Sequence, residues 1–164
     1  MYQASKQIID FLKSYETLEL EAYLPTPNDR FTISYGCTFY EDGKPVKKGD
    51  KITKERADKL FEAILAKFSK DVNSLIKNNL KQNQFDALLS FAYNLGSDID
   101  ADTIAEGLGD STLLKKVNKN PNDLTIEQEF KKWNKQAGKV LNGLTKRRTA
   151  EWDIYNKGIY VNHK

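Results

Sequence analysis

Glu16, Glu19, Glu21 and Asp29 crowd the segment Tyr15–Cys37, YETLELEAYLPTPNDRFTISYGC, which closes on a run of Thr, Ser, Tyr and Gly. Carboxyl groups can act as general acids or bases, so each is tested for position. Glu16 falls where an amphipathic run ends. The C-terminal end of a helix carries partial negative charge, which disfavours a second anion there. A carboxylic acid kept protonated in this way suits proton donation to a glycosidic oxygen. The same position also fits an exposed Glu at a frayed helix end. Glu19 and Glu21 alternate with Leu18 and Leu20, so both are expected to face water. Asp29 lies in a turn, where Asp is favoured for its local hydrogen bonds. Thr32 opens a strand, and its hydroxyl could hold a water.

The other residue types narrow the chemistry. Cys37 is the single cysteine and His163 the single histidine, and His163 stands next to the last residue. No intrachain disulfide can form. A nucleophile–histidine hydrolase needs a positioned imidazole, and a zinc hydrolase needs several His or Cys ligands. Neither is expected, so acid–base work falls to carboxylates, lysines or tyrosines, with no metal and no cofactor. The 164 residues suit one domain, 30% of them are charged, and the net charge is +3. That mild basic excess favours an anionic polymer or cell wall and is too weak to argue for nucleic acid. The cluster Lys146, Arg147 and Arg148 reads as a solvated helix face. The first residues lack a leader-type apolar run, and no stretch reaches the roughly twenty apolar residues of a membrane span.

The elements that must position these groups follow from periodicity. Ile8, Ile9, Phe11, Leu12 and Tyr15 mark one face of a helix ending near Glu16. Leu18–Tyr23 alternates as extended chain. Pro25, Pro27 and Asn28-Asp29 make a turn. Phe31–Phe39 predicts a strand, Asp42-Gly43 a hairpin turn, and Val46 the start of a returning strand. Thr53 predicts an N-cap for a long helix with Leu60, Ile64, Phe68, Val72 and Leu75 inward. Residues 82–96 predict a central helix with Phe85, Leu88, Leu89 and Ala92 inward and Gly96 as its C-cap. The acidic stretch 97–110 reads as a loop, with room for one helical turn. Ser111 caps a short helix, Asn120-Pro121 breaks the chain, and helices are predicted over about 126–136 and 145–156. The predicted architecture is α+β: a small β-containing lobe over about 16–52, a larger helical lobe, and a cleft between them for a polymer.

The series as a whole resembles the phage-type lysozymes, glycoside hydrolase family 24. Glu16 with Ala22-Tyr23 and Thr32-Ile33-Ser34-Tyr35-Gly36 is similar to that family's E-G-x-x-L-x-A-Y, turn, T-I-G-Y-G-H-T pattern. GKPVKKGDKIT (43–53), QFDAL (84–88), FAYNLG (91–96), STLL (111–114) and GLTKRRTAE (143–151) match further segments in order, over nearly the whole chain. The resemblance implies a single lysozyme-like domain and a muramidase cutting the β-1,4 bond between N-acetylmuramic acid and N-acetylglucosamine. It implies Glu16 as general acid and Thr32 as a positioner of the attacking water. The family's second catalytic position, nine residues after the Glu, falls on Pro25, and counting back from Thr32 reaches Thr26. Asp29 is the acidic residue left in the turn and is assigned the role. A base acting through water across about 6.5–9.5 Å tolerates such a shift. Matching further implies Thr38, Tyr93, Ser111 and Lys132 as groove residues, and Arg147 or Arg148 as a partner of the acid. Thr17 and Ser34 stand where the family has Gly, and Cys37 where it has His. Ser34 is expected to place a side chain near the sugar groove.

The expected biology is lysis of a bacterial host by a monomeric endolysin. It would be made in the host cytoplasm and reach peptidoglycan through a holin-type membrane lesion, with neither nucleic-acid binding nor stable membrane insertion. Two alternatives stay open. One is a non-catalytic peptidoglycan-binding relative, suggested by Pro25, Thr17, Ser34 and Cys37. The other is a delivered antibacterial glycan hydrolase.

Overall fold

A computed structural model describes residues 1–100 and 102–163. Its elements are α1 (Lys6–Tyr15), β1 (Glu19–Tyr23), β2 (Thr32–Ser34), α2 (Lys54–Leu75), α3 (Gln82–Leu95), α4 (Thr112–Lys119), α5 (Ile126–Lys131), β3 (Lys135–Gln136), β4 (Lys139–Val140) and α6 (Asn142–Lys157). This is an α+β chain, with two antiparallel strand pairs among the described residues. It divides into two units, Leu12–Lys67 and Met1–Phe11 with Phe68–Lys164.

In the smaller unit β1 runs antiparallel to β2, with Glu19 opposite Ser34 and Tyr23 opposite Thr32 and an irregular register between them. The predicted strand over Phe31–Phe39 is corrected: it stops at Ser34. The backbone turns through Tyr35-Gly36, closed by reciprocal N–H···O bonds of 2.9 Å between Ile33 and Cys37. Ser34 at φ 61° and Gly36 at φ 82° cannot continue an extended strand. Continuous β-forming side chains concealed this break. The returning strand at Val46 shrinks to a bridge between Phe39 and Pro45 and a bond from Val46 N–H to the Thr38 carbonyl. Ile33, Cys37, Val46 and Leu60 form the buried cluster of this unit, backed by Phe31, Tyr40, Ile52 and Ile64. Alternation in β1 is imperfect, since Leu20 is exposed and Glu19 half-buried, while Glu21 faces water as expected.

Thr53 caps α2 as predicted, its hydroxyl accepting from Arg56 N–H at 3.1 Å. The inward stripe is displaced from the predicted one. Ala57, Leu60, Phe61, Leu65 and Val72 are buried, whereas Ile64, Phe68 and Leu75 are half-buried.

The larger unit is built around α3, whose Phe85, Leu88, Leu89, Phe91 and Ala92 are all buried. Gly96 at φ 105° ends the helix. α6 packs along α3, with α5 against α6 and α4 against α5. Edge-on aromatic contacts knit them, with Phe91 5.9 Å from Phe130 and 5.4 Å from Trp133. The described part of 97–110 contains no helix, and residue 101 of that loop lies outside the described residues. The helix predicted over 126–136 ends at Lys131 and gives way to the β3–β4 hairpin. Ala137 at φ 51° and Gly138 at φ 78° make its turn, a pattern that lysine-rich polar flanks disguised. Tyr160 and His163 make contacts back to the larger unit. Tyr160 donates to Asp86 at 2.6 Å, and the His163 ring lies 3.1 Å from the Asp153 carboxylate.

Candidate active site

Glu16 follows the last residue of α1 at a bend and is half-buried. The Gly36 backbone comes close to its carboxyl group. A Cβ built on Gly36 would sit 2.8 Å from Glu16 Oε2 and 3.0 Å from its Cδ. The Tyr35-Gly36 turn that breaks the predicted strand therefore presses a bare α-carbon onto the carboxyl group. A positive φ and this close approach both require glycine at position 36.

Tyr23, at the end of β1, faces Thr32 across the sheet. Burial pushes its phenol up, and so do the nearby carboxylates of Glu19, Glu16 and Asp29. Glu16 and Asp29 thus act on one hydroxyl group from separate stretches of chain. Tyr23 carries no chemical signal in the sequence, and only the strand register places it opposite Thr32. Asp29 is exposed in its turn, with N–H to the Thr26 carbonyl at 3.0 Å and Oδ1 accepting from Arg30 N–H at 2.9 Å. Thr32 is buried, and its hydroxyl donates to the Arg30 carbonyl at 3.0 Å. Arg30 accordingly ties Asp29 and Thr32 together through its own backbone. Thr38 is half-buried between the bridges at Cys37 and Phe39. These groups supply a half-buried carboxyl, an exposed carboxylate, a phenol and a threonine hydroxyl within the smaller unit.

Ser34 is corrected. Its side chain does not reach toward a groove but is buried, donating to the Ala57 carbonyl of α2 at 2.7 Å. That bond holds a non-glycine residue in a backbone conformation natural to glycine. Cys37 lies in the aliphatic cluster, where a thiol behaves as a small hydrophobe.

The description "Phage lysozyme" fits residues 13–151 of this chain as a family model. The chain belongs to the phage lysozyme family. Among curated relatives, an endolysin of Bacillus phage B103 is 39% identical over 92% of this chain, and one of Bacillus phage PZA is 36% identical over 98%. This chain spans 52% and 57% of those proteins, about half their length. Among solved structures, an endolysin from Escherichia coli O157:H7 phage FAHEc1 superposes with TM-score 0.81 at 39% identity, covering 97% of this chain and 96% of that one. The muramidase domain of SpmX from Asticaccaulis excentricus gives 0.77 at 31% identity, covering 94% and 98%.

The remaining predicted site residues of this chain lie in the larger unit. Tyr93 is half-buried with its ring edge-on to Phe68 at 5.4 Å. Ser111 is buried and its hydroxyl is committed to capping α4, donating to Leu108 O at 2.7 Å and accepting from Leu114 N at 3.1 Å. That leaves it as a helix cap with no surface for a sugar. Lys132 pairs with Glu129 at 2.9 Å. The solvated-face reading of Arg147 and Arg148 is corrected, since both are buried and Arg148 is 0% exposed. Arg148 Nε lies 2.7 Å from Glu151 Oε1, and its NH2 group donates to Asn94 Oδ1 at 2.7 Å. Ser90 donates to Glu151 Oε2 at 2.6 Å, and Arg147 Nε lies 3.7 Å from that oxygen.

Among the described residues one acidic group is compact enough to share a cation. One oxygen from each of Asp98, Asp100, Asp102 and Asp110 lies within 4.8 Å of the others. Asp102 pushes the Glu106 carboxyl up, with further contributions from burial, Asp100, Asp98 and Asp110.

Proposed function

We propose that this chain is an endolysin-type muramidase that hydrolyses the β-1,4 bond between N-acetylmuramic acid and N-acetylglucosamine in peptidoglycan. The observation that carries the reading is the Glu16 carboxyl held between the end of α1 and the bare α-carbon of Gly36. In this reading Glu16 protonates the glycosidic oxygen. Asp29 orients and deprotonates the attacking water, and Thr32 helps to place it. Wall cleavage lyses the host cell. The enzyme acts as a monomer without metal or cofactor and reaches the wall through a holin-type lesion. Among the described residues no helix is long and apolar enough to cross a membrane.

Turbidity loss of purified cell walls tests the proposal, with new reducing ends as the chemical readout. Glu16→Gln should lower the rate by about 10²–10⁴-fold, and Asp29→Asn should lower kcat with KM little changed. Full activity in Asp29→Asn would remove Asp29 from the mechanism. Pro25 in the family's second catalytic position favours one other reading, a peptidoglycan-binding module without turnover. Wild-type protein that sediments with walls from several hosts and never clears them would establish that reading instead.

A further inference from the structure

We propose that Arg30 is a specificity residue that recognises the stem-peptide carboxylates of the wall polymer, an inference that rests on the peptidoglycan reading above. Three observations lead to it. First, Arg30 is the only Lys or Arg between Lys13 and Lys44, a span that holds Glu16, Glu19, Glu21, Asp29, Glu41 and Asp42. An anionic polymer meeting the carboxylates of that stretch is repelled unless a cation stands among them. Second, the Arg30 side chain is committed to no acid. Among the described residues it forms no ion pair, and its guanidinium carbon lies 5.2 Å from the centre of the Phe39 ring. Phe39 is itself 37% exposed. A guanidinium laid on an aromatic face keeps its planar edge of N–H donors turned outward, which is the geometry that takes a carboxylate through two parallel bonds. Third, the backbone of Arg30 is anchored on both sides by candidate catalytic groups, through Asp29 Oδ1 at 2.9 Å and the Thr32 hydroxyl at 3.0 Å. A substrate carboxylate seated on Arg30 is therefore registered against both.

Stem peptides hang from muramic acid and carry free carboxylates, whereas chitin carries none. Arg30 would thus favour peptidoglycan over an uncharged amino-sugar polymer with the same backbone linkage.

The test uses walls stripped of teichoic acid, either native or with their carboxylates converted to amides by carbodiimide and ammonia. Wild-type KM should rise about fivefold on amidation, the size of an exposed charge-assisted contact. Arg30→Gln should show that raised KM already on native walls, change little on amidation, and keep kcat within about twofold. Arg30→Lys, which keeps charge but loses the planar fork, should fall between. Co-sedimentation of each protein with both wall preparations reads the same contrast without turnover. If wild type binds but never cleaves, the muramidase reading fails while the binding contrast still judges Arg30. Arg30→Gln with wild-type KM and affinity on native walls, or with undiminished sensitivity to amidation, would overturn the proposal.

Discussion

Replacing Gly36 by Ala separates the placing of Glu16 from the stability of the turn that does the placing. The substitution has two costs. At φ 82° a Cβ brings strain of about 1–2 kcal/mol. The new methyl group would also stand 2.8 Å from Glu16 Oε2, so that carboxyl must move. Because the clashing atom ends a flexible side chain, moving it adds little to the loss of stability. Its consequence for rate is larger, since misplacing a reacting group by about 1 Å can cost about 10²-fold. Gly43 supplies the control, with φ 84° and nothing within 4 Å of its built Cβ. Gly43→Ala and Gly36→Ala should lower Tm by similar amounts, about 2–8 °C. Only Gly36→Ala should lose wall-clearing activity by about 10²-fold once rates are corrected for the folded fraction. Equal activity losses in the two variants would sink the idea that this turn sets the position of the acid.

Three further outcomes follow from the charged groups. Glu151→Gln removes the carboxylate charge that pairs with the buried Arg148 guanidinium and should destabilise the protein by about 3–5 kcal/mol in urea unfolding, far more than a surface substitution. Burial pushes the Glu129 carboxyl up, but hydrogen bonds from Lys116, Lys132 and Gln128 outweigh it and hold the group below its ordinary 4.5. A depressed carboxyl stabilises above its unfolded pKa and loses that contribution as pH falls through the folded value. Stability measured from pH 6 to pH 2 should therefore drop below about pH 4.5, and Glu129→Gln should flatten that part of the curve. Glu106 shows the opposite sign, since a raised carboxyl opposes folding while ionised and is relieved on acidification. Asp102→Asn should lower the Glu106 pKa in an NMR titration and raise Tm at neutral pH.

Much of this molecule is legible where the signal is local. Thr53, Gly96 and Ser111 mark helix ends because capping is decided within four residues. The inward faces of α1 and α3 follow from period alone. What escaped depends on partners distant in the chain. The strand over Phe31–Phe39 looked continuous because β propensity does not reveal a positive φ at Ser34 and Gly36. Arg147 and Arg148 looked like surface charge because Asn94 and Ser90, which help to bury that cluster, come from a helix more than fifty residues earlier. Within the candidate site, Glu16 and Thr32 are proposed from family pattern. Tyr23 emerged only with the pairing register, and Arg30 only with the ring beneath it.

The placement of rare side chains gives the two units separate native signals. The sole thiol, Cys37, is 3% exposed inside the aliphatic cluster of the smaller unit. Both tryptophans, Trp133 and Trp152, belong to the larger unit. A thiol reagent reaches Cys37 only when its cluster opens, so its labelling rate counts openings of one unit while indole fluorescence follows the other. The unmodified chain can therefore reveal whether its halves melt as one cooperative body, without a single engineered probe.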